Sequence, residues 1–184
     1  MEASKQSRSI VRMCRIAAMA ALLCVAAPWS IPIGPIPLSL ATFVVYLIGV
    51  VLGGVDGLIA VALYLLLGAI GVPVFTGFAG GVQKLLGVTG GYLVGYLPCV
   101  ALVGFLSDRF PQKRLWQIVG MLGGTVLLYA LGTAWFMFQS GRTLAESLSL
   151  CVLPFLVGDA AKIAVAAAIG VPIRRMTENL SHRT

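Results

Sequence analysis

Two charged residues, Asp159 and Lys162, stand three positions apart inside an otherwise apolar run, PFLVGDAAKIAVAAAIGV, at residues 154–171. On an α-helix three residues rise about 4.5 Å and turn through about 300°, so both side chains share one face and can meet the same solute or each other. The other five acidic residues, Glu2, Asp56, Asp108, Glu146 and Glu178, fall at chain ends or between apolar runs. Asp159 is therefore the only carboxylate expected within a membrane span, with Lys162 its cationic counterpart. A charge at the centre of a membrane helix costs about 2.5–3.5 kcal/mol on insertion scales, so such residues normally face a cavity and mark a solute's path. An acceptor and a donor at one spot suit a polar solute. The spacing alone also admits an internal salt bridge that binds nothing.

A second feature is the segment GVPVFTGFAGGVQKLLGVTGGY at residues 71–92, with seven glycines, among them Gly80, and the aromatic residues Phe75, Phe78 and Tyr92. It is too interrupted to span a bilayer. Irregular backbone at membrane depth survives only when buried in protein or bordering water. A loop folded over a pocket meets that condition; glycines that let helices approach closely, as Gly91 with Gly95, are the plainer reading. Lys84 within this segment reads as a solvated surface lysine.

Catalysis has little support. The single histidine, His182, lies in a charged tail, no GxxxxGK[ST] loop for ATP occurs, and Cys14, Cys24, Cys99 and Cys151 form no metal-binding or disulfide pattern. Neither an enzyme, a cofactor nor a metal site is expected.

The elements that must position these residues follow from composition. Of 184 residues, 59% are hydrophobic and 10% charged, with mean hydropathy +1.00, whereas a soluble domain carries roughly 25% charged residues. An all-α integral membrane protein is expected, one membrane domain over residues 1–184 with six transmembrane helices near 10–29, 38–52, 57–71, 89–106, 115–138 and 154–173. The glycine-rich segment then forms an outer loop between helices 3 and 4. Asp56 is expected to cap the third helix, Pro154 to sit in the first turn of the sixth and Pro172 to close it. Thr143 and Glu146 have capping-box spacing, which predicts a short surface helix over 143–151.

The net charge of +7 invites a nucleic-acid reading, but position argues against it. Ten of the thirteen basic residues fall before helix 1 (Lys5, Arg8, Arg12, Arg15), between helices 4 and 5 (Arg109, Lys113, Arg114) and after helix 6 (Arg174, Arg175, Arg183). Six spans put all three groups on one side, so both termini are expected in the cytoplasm, as for a cytoplasmic-membrane protein. The first span also has the outline of a cleavable signal peptide, a question that an intact-mass measurement decides.

Three stretches together resemble one family: IPIGPIPLSLATF (residues 31–43), GAIGVPVFTGFAGG with LLGVTGGYLVGY, and PFLVGDAAK. They are similar to BioY, the biotin-specific substrate-binding component of energy-coupling factor transporters. The resemblance implies a six-helix fold that holds biotin near the outer face, with Asp159 and Lys162 contacting it. Beside them, Thr42, Phe43, Phe75, Phe78, Gly80 and Tyr92 are expected around the ligand, the aromatic rings enclosing its apolar bicycle. It also implies partners, a membrane coupling protein and two ATPase subunits, with Ala17 and Ala21 matching an AxxxA docking surface on helix 1. Two departures stand out: Val88 where the family often has proline, and Ala41 where a glutamine often precedes Thr42. The alternatives are a lone or secondary carrier for biotin or a related vitamin, and a structural membrane subunit without a ligand.

Overall fold

In lipid every backbone N–H and C=O must be satisfied within the protein, which drives apolar runs of this length into helices. The computed structural model of the chain describes residues 2–31, 36–111 and 113–182. Residues 32–35 of the proline-rich turn, Arg183, and the side chains of Lys5 and Arg8 lie outside what is described. Eight helices and one short ribbon are present among the described residues: α1 (Glu2–Ala26), β1 (Ser30–Ile31), β2 (Leu38–Ser39), α2 (Ala41–Leu52), α3 (Gly54–Ala69), α4 (Val82–Leu86), α5 (Gly90–Arg109), α6 (Arg114–Ser140), α7 (Leu144–Cys151) and α8 (Leu156–His182). Four stretches are long and apolar enough to cross a membrane, Ser9–Ala26, Gly90–Arg109, Arg114–Ser140 and Leu156–Thr177. The chain is a membrane protein.

Helices α2 and α3 are shorter, 12 and 16 residues. α2 can be short because it faces protein rather than lipid: residues 44–51 are all buried, and α5, α8, α3 and α1 surround it. Its N-terminal end differs from expectation, since Leu38 and Ser39 pair antiparallel with Ile31 and Ser30 as a ribbon, and the helix begins at Ala41.

Other boundaries move for local reasons. Helix α1 starts at Glu2, ahead of its apolar stretch, and ends at Ala26, so Trp29 lies beyond it. Pro28 disfavours helical backbone in the residue before it. Asp56 is not the cap of α3: Gly53, with φ +83°, makes the corner after α2, and Asp56 lies in the first turn of the helix, where Arg12 donates to it at 2.8 Å. Pro154 stands in the turn before α8, which begins at Leu156. Pro172 does not end α8, which continues to His182. An interior proline frees the carbonyl four residues back, and that residue, Ala168, is exposed. The Thr143–Glu146 capping box is present at the start of α7.

Tight crossings lock the bundle. α5 packs most extensively on α6 and also touches α2 and α3. A Cβ on Gly104 would sit 2.4 Å from the backbone of Gly53 and Gly54, so α5 meets the α2–α3 corner backbone to backbone. Gly91 and Gly95 instead make room for side chains of α6, Trp135 and Leu128, in line with the plainer reading of those glycines.

Polar contacts gather the basic segments at one end of the bundle. Asp108 accepts from Gly54 N at 2.8 Å and from Arg174 at 3.0 Å, and Arg174 also donates to Val50 O at 3.1 Å. Arg15 reaches Val51 O and Thr177 Oγ1, both at 3.5 Å. The opposite end carries the ribbon, residues 70–89 and α7. There Gly77 N donates to Pro28 O at 3.0 Å, Gly81 N to Gly68 O at 2.7 Å and Trp135 Nε1 to Gly87 O at 2.9 Å.

Candidate ligand-binding site

Asp159 sits in the first turn of α8, where its backbone N–H donates to Phe155 O at 2.8 Å. The partial positive charge of a helix N-terminus favours a carboxylate there. Because α8 begins at Leu156, Asp159 is about 4.5 Å along the helix by rise, shallower than a start at Pro154 would place it. Its side chain is buried, 6% exposed, and that of Lys162 is 12% exposed.

The two charges meet, with Lys162 Nζ 2.9 Å from Asp159 Oδ1, but they do not bond only to one another. Lys162 also donates to Ser39 O at 2.8 Å and Thr42 Oγ1 at 2.9 Å. Asp159 Oδ2 accepts from Tyr129 Oη at 2.6 Å, and Thr42 Oγ1 lies 3.4 Å from Oδ1. Four elements therefore converge: β2 through Ser39, α2 through Thr42, α6 through Tyr129, and α8. Such charge-assisted bonds offset the cost of burying both ions.

Beside this cluster lies a half-enclosed cavity with about 540 Å³ of atom-free space, a figure that includes open solvent at its mouth. Asp159, Lys162 and Thr42 form its polar side. Leu38, Leu93, Tyr96 and Phe155 supply apolar wall, and Thr76 and Thr89 come from the segment between α3 and α5. Tyr92 also lines it, held by its hydroxyl donating to Cys151 O at 3.2 Å. A Cβ on Gly132 would fall 2.4 Å from the Tyr92 ring, so that glycine makes the space in which the ring lies.

The structure thus brings Asp159, Lys162, Thr42 and Tyr92 around one cavity and leaves Phe43, Phe75, Phe78 and Gly80 away from its wall. Phe75 is wholly buried in the core, edge-on to Tyr64 at 5.5 Å, with its ring filling the space beside Gly68. Phe78 points outward, 59% exposed, and meets Trp29 edge-on at 5.7 Å. Phe43 packs against the main core, and a Cβ on Gly80 would meet Val72 O at 2.5 Å. Aromatic type within the loop did not reveal which way each ring turns, because that is decided by the neighbouring helix.

Tyr129, Tyr96 and Ser39 were not singled out from sequence. The signal for Tyr129 was present: a tyrosine within an apolar span needs a partner for its hydroxyl. Which partner depends on how α6 lies against α8. Tyr129→Phe is expected to remove the hydroxyl that donates to Asp159 Oδ2 and lower the stability of the ligand-free protein by about 1.5–3 kcal/mol, the usual worth of a hydrogen bond to a charged group. Thermal unfolding in detergent measures this.

Comparison with known proteins agrees in sequence and in fold. The model of the BioY family matches residues 1–179. A biotin transporter BioY of Thermotoga maritima is 38% identical over 156 residues, covering 85% of this chain and 91% of that protein. BioY2 of Lactococcus lactis subsp. cremoris, also a biotin transporter, is 33% identical over 177 residues, 96% of each chain. A crystal structure of the S-component for biotin from an ECF-type ABC transporter superposes with a TM-score of 0.86 at 30% identity, covering 92% of this chain and 93% of that one.

Proposed function

The chain belongs to the BioY family, and from that premise and the geometry of its buried pocket we propose that it binds biotin for uptake as the substrate-specific subunit of an energy-coupling factor transporter. The observation that carries this reading is the Asp159–Lys162 pair bordering an open cavity rather than closing on itself. Biotin offers two ureido N–H donors and a carbonyl, an apolar bicycle and a valerate carboxylate. Asp159 accepts from a ureido N–H, Lys162 donates to a ligand oxygen, and Thr42 steadies both charges. Tyr92, Tyr96, Leu93 and Phe155 enclose the apolar rings.

In this reading α1, α2, α3, α5, α6 and α8 are the six spans of a single membrane domain, α2 being short because the bundle shields it. The end that gathers Arg12, Arg15, Arg109, Arg174 and Arg175 faces the cytoplasm, so both termini lie inside and the cavity opens at the outer face of the cytoplasmic membrane. No ATP-binding loop occurs in the sequence, and the likeness to the family assigns the work of uptake to a membrane coupling protein and two ATPase subunits.

Purifying the protein in detergent, denaturing it and identifying the released small molecules by mass spectrometry tests the ligand. Biotin is expected; a preparation that neither releases biotin nor binds it in calorimetry removes the proposal.

Ala17 and Ala21 lie on an exposed face of α1 and suit a docking surface for the coupling protein. Replacing both with tryptophan is expected to abolish ATP-driven biotin uptake in cells carrying the coupling module, while biotin affinity of the purified protein stays unchanged. Uptake that survives the double substitution instead favours a carrier acting alone.

A further inference from the structure

Tyr129 has a second face. On one side it borders the polar cavity; on the other it borders a separate groove of about 560 Å³ of atom-free space between α6 and α7. The floor is one stripe of α6, with Val126, Ala130, Ala134 and Met137 at helical spacing, and the side wall is Leu144 and Leu148 of α7. Ala130 and Ala134 are exposed, and their small side chains make the floor concave. The lining is almost wholly apolar.

Length and charge say what fits. From Val126 to Met137 is eleven residues, about 16.5 Å by helical rise, close to half of a hydrocarbon core of about 30 Å. At the end of this stripe the chain turns at Gly141, in the left-handed region with φ +66°, and presents Arg142. Arg142 is exposed and makes no hydrogen bond or ion pair among the described residues. Arg142 stands five residues after Met137 of the floor and two before Leu144 of the wall, so a slot about one leaflet deep with an exposed guanidinium next to it along the chain has the layout of an acyl chain with an anionic head. Guanidinium groups bind phosphate oxygens through paired N–H donors.

We propose that the α6–α7 groove holds one acyl chain of an anionic phospholipid, with the lipid's phosphodiester bound by Arg142. The lipid backs the outer face of Tyr129, whose hydroxyl holds Asp159, and so fills the space between that ring and the bilayer. The inference goes beyond the biotin reading and does not rest on it.

Native mass spectrometry of the detergent-purified protein titrated with phosphatidylglycerol is the test. One tightly held phosphatidylglycerol per chain is expected. Arg142→Gln should lower its occupancy at least fivefold, and Ala134→Trp, which fills the floor, should abolish it; calorimetric biotin affinity should stay within twofold of wild type in both. Equal phosphatidylglycerol occupancy in wild type and Arg142→Gln overturns the proposal, as does a lipid-free dimer that Ala134→Trp dissociates, which would make the occupant a second copy of the chain. Should Ala134→Trp fail to fold, the exposed Arg142→Gln variant decides alone.

Discussion

Lys162→Ala is expected to weaken biotin binding by more than tenfold, at least about 1.4 kcal/mol, and to destabilise the protein as well. In the folded chain Lys162 Nζ has three acceptors, Asp159 Oδ1, Thr42 Oγ1 and Ser39 O, all within 2.9 Å. Truncation leaves a carboxylate that is 6% exposed facing the cavity without its cation. Removing one partner of a buried pair costs about 3–5 kcal/mol, because the remaining charge is uncompensated. Part of that loss appears as a lower unfolding temperature and part as weaker binding, since the ligand also loses a charged donor.

The companion change Asp159→Asn separates the two effects. It keeps the shape and one oxygen acceptor, which stays toward Lys162 Nζ, and turns the other oxygen into an NH₂ group that can donate to Tyr129 Oη once that hydroxyl accepts instead of donating. Binding should again fall more than tenfold, with a smaller loss of stability than Lys162→Ala. Calorimetry giving wild-type affinity for both variants would falsify the assignment of this pair to the ligand.

A large effect on folding, without loss of any ligand contact, is expected at Gly104. Its missing Cβ would lie 2.4 Å from Gly53 C and Gly54 N, and backbone atoms at a helix corner cannot turn aside as a side chain can. That corner is doubly fixed: Gly53 holds φ +83°, and Gly54 N is tied to Asp108, one turn further along α5 than Gly104. Gly104→Leu forces α5 away from the corner and is expected to cost about 3 kcal/mol, the upper part of the usual range for overpacking. It also strains the Asp108–Arg174 contact to α8. Gly158→Ala is the control, since its Cβ would meet Leu38 at 3.5 Å, an ordinary contact, and alanine favours the helix. Unfolding followed by tryptophan fluorescence in detergent should show a marked fall for Gly104→Leu and no fall for Gly158→Ala. Equal behaviour of the two would mean that the corner does not hold the fold.

Much of this was legible in the residues. Apolar runs of about twenty residues with so few charges point to helices in lipid, and the basic clusters pointed to the helix ends that the Asp108–Arg174 and Arg15–Thr177 contacts bring together. The 3.6-residue period put Asp159 and Lys162 on one face, and the Thr143–Glu146 spacing marked α7; these are local matters, settled within a few turns of one helix.

Tertiary structure decided what depends on a neighbour. Pro172 broke the pattern in sequence, yet α8 runs through it to His182. Phe75 turns into the core beside Gly68 and Phe78 turns outward to Trp29, a difference that no spacing within the loop encodes. Tyr129 became the partner of Asp159 only when α6 was laid against α8, thirty residues away in sequence. Periodicity assigns each residue to a face of its own helix; which faces then meet is determined by how all the helices pack at once.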